Sequence, residues 1–413
     1  AAICNGLIII SYGELFKSFE HITRSLLKTN PLALLCITPI LFLTAWYINT
    51  KKFPFSGGSG IPQILAATEV PMETPKGNAF IRGVLSIRSA VAKIVGSLLV
   101  VLGGGAIGRE GPSLHVSASI FFLFHRVLNR IHKTLEYRAW IITGAAAGLA
   151  AAFNTPLGGI VYAVEELGSQ YFTRVKNNLL LAVIVSGIAS QALLGSYLFI
   201  GSPTTNAYDM KLLLIVVVMA SICGLAGAIF GHAIYFATKI RKKIRSKKLQ
   251  IIFVMVLSIV IFSIAYYDNF AIGGGKEYIS SLLFTDIQQS ATTIPLRFLN
   301  TFFVYITGVA GGIFAPSLAL GAGIGYQLGQ FLEVMFNLSN SNLFILCGMV
   351  SFLTGVTRTP LTSFILVMEM TDRHASIVPL MLSGFISILI AKLWHKEGFY
   401  ELAVNDYVNT VRD

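Results

Sequence analysis

Glu110 stands between Gly108 and Pro112 in G-R-E-G-P, directly after the apolar run 84–107. An ionisable carboxyl at such depth is expensive in lipid and marks a candidate functional group. Two further stretches share this composition: G-S-G-I-P (Gly58 to Pro62) and G-G-I-F-A-P (Gly311 to Pro316). In each, glycine lets the backbone come close to a ligand. Each closes on proline, which suits the first turn of a helix because its missing N–H would be unpaired there. A helix that starts in apolar surroundings leaves N–H groups in need of an acceptor. Its N-terminus also carries about half a positive charge. Several such ends at one point would hold an anion without Lys or Arg, and release it more readily than a full charge at low dielectric. A first-turn carboxylate such as Glu110 would accept the same N–H groups, compete with the anion, and leave when protonated. The alternatives are ordinary Gly/Pro kinks closed by nearby hydroxyls or water, and a helix-start Glu110 paired with Arg109 near an interface.

Other acids are few. Glu165 and Glu166 close an apolar segment, where a pair snorkelling at the membrane surface is the plain alternative to function. Glu369 and Asp372 read as structural or surface groups. No nucleophile–base arrangement, metal-ligand cluster or phosphate loop is present, so enzymatic chemistry, metal and cofactor are not expected. Cys4, Cys36, Cys223 and Cys347 are scattered, without metal spacing, and are expected as buried reduced thiols.

The elements that must position these groups are helices in a membrane. Of 413 residues, 54% are hydrophobic and 12% charged, too few charges to cover a soluble protein. Mean hydropathy is +0.73. The runs 31–48, 84–107, 140–164, 179–200, 212–238, 251–266, 343–357 and 376–394 are nearly free of charge. Some reach the ~20 residues a spanning helix needs; others are short or broken by Gly and Pro. The alternation of a membrane barrel is absent. The expected class is an all-α polytopic membrane protein.

The net charge of +12 concentrates in loops, above all Lys239, Arg241, Lys242, Lys243, Arg245, Lys247 and Lys248. The excess of basic residues places this loop in the cytoplasm. The apolar segments on both sides argue against a nucleic-acid patch. A second basic stretch, Arg126 to Arg138, could share that side. Residues 1–12 lack the features of a cleavable signal peptide, and the opening Ala is expected if the natural sequence is longer.

The chain also repeats itself. Gly104, Ala106, Gly108, Pro112, Ser113, Leu114 and Ile120 match Gly308, Ala310, Gly312, Pro316, Ser317, Leu318 and Ile324, each pair 204 residues apart. At the same offset, Gly144, Leu149, Thr155, Pro156, Leu157 and Glu165 match Gly348, Leu353, Thr359, Pro360, Leu361 and Glu369. Duplicated membrane domains with interrupted helices at matching positions are how many secondary transporters are built, with the substrate site near the midplane. A single transmembrane domain, residues 1–413, with halves at about 30–200 and 210–400, is expected.

The three motifs in this order, with A-A-F-N-T-P-L-G-G-I-V-Y-A-V-E-E (151–166) and M-E-M-T-D (368–372), resemble the CLC family of chloride channels and proton-coupled chloride transporters. The resemblance runs from about residue 10 onwards. It implies two inverted structural repeats whose broken helices meet at a midplane anion site, and a homodimer with one pathway per subunit in the lipid bilayer of a cell inner (plasma) membrane. By resemblance, Ser59, the amides of Ile313 and Phe314, and the Tyr400 hydroxyl coordinate chloride. Glu110 matches the gating glutamate and Glu166 the inner glutamate that passes protons. An acidic residue at position 166 favours an exchanger of chloride for protons over a passive chloride channel, the alternative. Serine at position 59 goes with chloride preference. Two departures stand out. Gln63-Ile64-Leu65 lacks the acidic residues found there in the best-known bacterial exchangers, which leaves the proton entry route open. No cytoplasmic CBS pair follows Tyr400, as in prokaryotic members.

Overall fold

A computed structural model describes residues 1–131, 136–167, 169–195, 198–285, 288–336 and 341–412. It holds eighteen α-helices and, among the described residues, no strand. Among the described residues, five helices are long and apolar enough to cross a membrane: Pro31–Lys52, Lys176–Leu193, Met210–Lys242, Lys247–Tyr267 and His374–Trp394. A sixth span is possible if Pro75–Val84 and Ile87–Leu102, bent by 43°, count as one. The 33 residues of Met210–Lys242 reach about 50 Å, well beyond the ~30 Å hydrocarbon core. Their far end carries Lys239, Arg241 and Lys242 out of the apolar layer. Of the second basic stretch, residues 132–135 lie outside the described residues.

Other apolar runs do not span as one helix. The run 140–164 is cut at Asn154, whose φ of 56° ends the helix Tyr137–Phe153 before a new one, Pro156–Tyr162, begins. Its counterpart is cut the same way: Ser341–Thr357 ends, Arg358 takes a φ of 68°, and Pro360–Thr371 begins. Positive φ is uncommon outside glycine, so its recurrence 204 residues later marks one fold used twice. Gly104 and Gly308, another repeat pair, share φ values of 82° and 85°.

The halves meet about a local twofold. Gly108 and Gly312 exchange both backbone hydrogen bonds, at 2.8 and 2.9 Å. The Glu165 carboxylate accepts from the Leu361 amide (3.0 Å) and from the Thr362 amide and hydroxyl (both 2.7 Å). The Glu369 carboxylate accepts from the Leu157 and Gly158 amides at 3.1 and 2.9 Å. Each carboxylate therefore caps the broken helix of the other half, where orphan N–H groups and the helix dipole favour it. Glu369 is structural, as expected. Glu165 does not snorkel to the surface; it turns inward as the reciprocal cap.

Elsewhere the halves solve one problem with different residues. Asn300 Oδ1 accepts from the Ala106 amide at 2.9 Å. At the equivalent amide, Ala310, the acceptor is Asn49 Oδ1 at 3.1 Å. Asn49 reaches in because Gly96 stands where the other half has Asn300; a Cβ on Gly96 would collide with the Asn49 amide. Of the cysteines, Cys223 and Cys347 are buried as expected, whereas Cys4 and Cys36 are exposed. Cys36 lies on the outward face of the apolar helix Pro31–Trp46, which lipid can cover in place of protein, and Cys4 lies in the first turn of Ala2–Thr29.

Candidate anion site

The three Gly/Pro motifs open three helices: Ile61–Glu69, Glu110–Leu128 and Phe314–Phe336. Their entry loops are stitched together. Gly58 donates to the Val309 carbonyl at 2.9 Å and accepts from the Gly311 amide at 3.2 Å, while Gly108 pairs with Gly312. Three helix N-termini are thus assembled within one small network. Two glycines are required by the approach. Gly60 has a φ of +101°, and a Cβ there would stand 2.7 Å from His115 Cβ. A Cβ on Gly111 would collide with Ser59 Oγ.

Ser59 and Tyr400 are each 1% exposed, and Ile313 and Phe314 are fully buried. Tyr400 sits at the start of the helix Phe399–Arg412, with its hydroxyl close to Ser59 and within electrostatic range of Tyr305, Glu166 and Glu110. Among the described residues, neither Ser59 Oγ nor the Tyr400 hydroxyl has a hydrogen-bond partner. The Ile313 and Phe314 amides also lack an acceptor among the described residues. Leaving a buried polar group unpaired costs about 1–3 kcal/mol, and here four donors face the same problem. The donor set is hydroxyl and N–H, which fits an anion. A formal cation stands one layer back: buried Lys93 donates to the carbonyls of Gly57 and Gly58, at 3.2 and 3.0 Å.

Glu110 is 2% exposed and begins its helix. By the repeat its equivalent is Phe314, so one backbone turn presents a carboxylate in one half and an aromatic ring in the other. The carboxylate folds back over Gly108 beside the amides of Glu110 and Ala315. Its Oε2 has no hydrogen-bond partner among the described residues. The pairing with Arg109 is not formed: Arg109 donates to the Ala152 carbonyl at 3.2 Å and its guanidinium fills the space over Gly13. A cavity of about 680 Å³, lined by Glu14, Lys17, Glu20, Arg109, Lys276 and Glu277 among others, reaches Glu110.

Two more cavities flank the helix Phe399–Arg412. One, of about 360 Å³, has Lys51, Lys239, Arg241 and Lys242 on its wall and touches Gly57, Gly58 and Tyr305. The other, of about 380 Å³, holds Glu166 with Glu69, Glu401, Arg358, Lys392 and Lys396. Glu166 is half-buried on a wide π turn, Ala163–Leu167. Ser59, Glu110, Ile313, Phe314 and Tyr400 are therefore brought together, and Glu166 is set apart in its own cavity. Leu65 lines that cavity too; one turn further along its helix, Glu69 supplies a carboxylate, and Glu401 a second. Between the two places stands Tyr162, fully buried, its hydroxyl unpartnered and within electrostatic range of both Glu166 and Tyr400.

Sequence reasoning missed Tyr162, Glu69 and Lys93. Glu69 was findable as the acid four residues beyond Leu65, on the same helix face. Tyr162 was findable by the same spacing before Glu166. Lys93 carried a signal as one of two charges, with Arg88, inside the run 84–107.

Comparison with known proteins bears on the fold and the family. The family described as Voltage gated chloride channel matches residues 2–392. The H(+)/Cl(-) exchange transporter ClcA of Vibrio campbellii (strain ATCC BAA-1116) is 27% identical over 379 residues, covering 89% of this chain and 78% of the relative. ClcA of Vibrio cholerae serotype O1 (strain M66-2) is 27% identical over 382 residues, with the same coverage of 89% and 78%. Among solved structures, a slow cyanobacterial Cl-/H+ antiporter has a TM-score of 0.85 at 23% identity, covering 100% of this chain and 98% of its own. A CLC-type fluoride/proton antiporter has a TM-score of 0.78 at 21% identity, covering 97% and 96%. These likenesses confirm the inverted-repeat fold, and the chain belongs to the voltage gated chloride channel family.

Proposed function

We propose that this chain, as one multi-pass transport domain in a cell inner membrane, exchanges chloride for protons. The observation that carries the proposal is the Glu110 carboxylate, an anion built into the protein beside the N-termini of the Glu110 and Phe314 helices. Support comes from the H(+)/Cl(-) exchange transporters to which the chain is similar.

Chloride gathers in the basic cavity beside Lys51, Lys239, Arg241 and Lys242 and moves to the central site. There the hydroxyls of Ser59 and Tyr400 and the amides of Ile313 and Phe314 replace its hydration. These donors carry partial charges, so the ion is held without being trapped. Ionised Glu110 occupies the next position. Once protonated it is a much weaker acceptor, swings away and lets chloride advance toward the cavity lined by Arg109 and Lys276. Protons run the opposite way: Glu110 takes its proton from the Arg109 cavity and passes it by Tyr162 to Glu166, which releases it past Glu69 and Glu401 into the other cavity. The two ions thus share the region of Glu110 and use separate cavities beside the helix Phe399–Arg412.

The alternative is a passive chloride channel of the same fold. Chloride and proton fluxes recorded together in liposomes separate the two, because only an exchanger drives protons uphill when chloride runs downhill. We further propose that the protein works as a homodimer with one pathway per subunit, which the mass of the detergent-solubilised protein, corrected for bound detergent, tests.

A further inference from the structure

Tyr305 lies near the end of the helix Thr293–Thr307, in the apolar stretch F-F-V-Y-I-T. Its hydroxyl oxygen accepts the Ser59 amide N–H at 3.3 Å. It also lies 3.3 Å from where a Cβ on Gly58 would be. Its ring packs edge-on against Phe399, centroids 5.6 Å apart, and Phe399 in turn abuts Tyr400 at 5.3 Å. Tyr305 lines the basic cavity together with Lys51, Arg241 and Lys242. The hydroxyl therefore stands at the boundary between that cavity and the Ser59 loop. Its own O–H hydrogen has no acceptor among the described residues.

We propose that Tyr305 is an additional residue of the anion path, a hydroxyl latch on the Ser59 amide that an anion passing between the basic cavity and the central site must displace. The phenol oxygen presents a lone pair to the amide, as a halide does. The Ser59 N–H at the entry to the Ile61 helix is thus held by the protein's own acceptor until an anion arrives. The anion takes the amide as the phenol leaves, so the exchange never leaves the amide bare. The ring's contact with Phe399 fixes the hydroxyl's place without using its polarity. A tyrosine kept only to fill space would use the ring alone, and phenylalanine would serve equally.

This inference rests on the reading of Ser59 as part of a chloride site. The test measures the KM for chloride in liposome flux, and chloride binding by calorimetry, for the intact protein and for Tyr305→Phe and Tyr305→Leu. Removing a competitor worth one neutral hydrogen bond tightens chloride binding and lowers KM by about fivefold. Both variants must move in that direction, which keeps the test valid should one of them misfold. Unchanged or weakened chloride binding in folded variants overturns the latch. If the unaltered protein binds no chloride, the site reading itself fails, which is a separate result.

Discussion

Replacing Glu110 by glutamine probes the competition at the heart of the mechanism. The carboxylate sits beside two amides, those of Glu110 and Ala315. A hydrogen bond to a charged acceptor is worth about 1.5–3 kcal/mol and a neutral one about 1 kcal/mol, so Glu110→Gln loosens the side chain by about 1 kcal/mol per amide. Across two amides that is about 2 kcal/mol, or about thirtyfold in favour of an anion taking the position. Glutamine also has no proton to carry. In liposomes under a chloride gradient the variant should move chloride with no linked proton movement. Calorimetry should show chloride bound more tightly, by about an order of magnitude or somewhat more. Proton coupling retained in Glu110→Gln, or chloride affinity unchanged, refutes the competition.

Glu166→Gln should keep chloride flux and lose most proton movement, because its cavity is separate from the basic one; loss of both fluxes in folded protein contradicts that separation. Gly111→Ala places a methyl group against Ser59 Oγ and should weaken chloride binding by calorimetry at least tenfold, the weight of one hydroxyl hydrogen bond; equal affinity would show that Ser59 is not a ligand. Glu165→Ala leaves the Leu361 and Thr362 amides without their acceptor, a loss of about 2–4 kcal/mol that should lower the thermal unfolding midpoint. A midpoint equal to that of the unaltered protein would remove the reciprocal cap from the account.

The repeat was legible because turns that need glycine, proline or a left-handed residue tolerate little substitution. Gly104 and Gly308, or Thr155-Pro156 and Thr359-Pro360, thus survive as identities. The anion-site logic of the three motifs was legible for the same reason. The partners were not. Ser59 among glycines has no periodicity, and Tyr400 comes from a helix at the far end of the chain, so both were reached only by resemblance. Tyr305 is hidden in an aromatic run that reads as core. Glu165 looked like a surface acid, and the partner of Glu369 was not named, because a cap contributed by the other half leaves no local trace. Only their shared offset hinted that two carboxylates at equivalent places do one job. The apolar runs overstated the spans, since helices broken at Asn154 and Arg358 are apolar throughout yet too short to cross.

The most direct test of the account uses the unaltered protein in liposomes, with a chloride gradient, the membrane potential clamped by potassium and valinomycin, and chloride and pH recorded together. The account predicts protons moving opposite to chloride, and uphill when chloride runs downhill. Chloride movement with no proton movement would contradict it, and would leave a passive pathway in which Glu166 has no part.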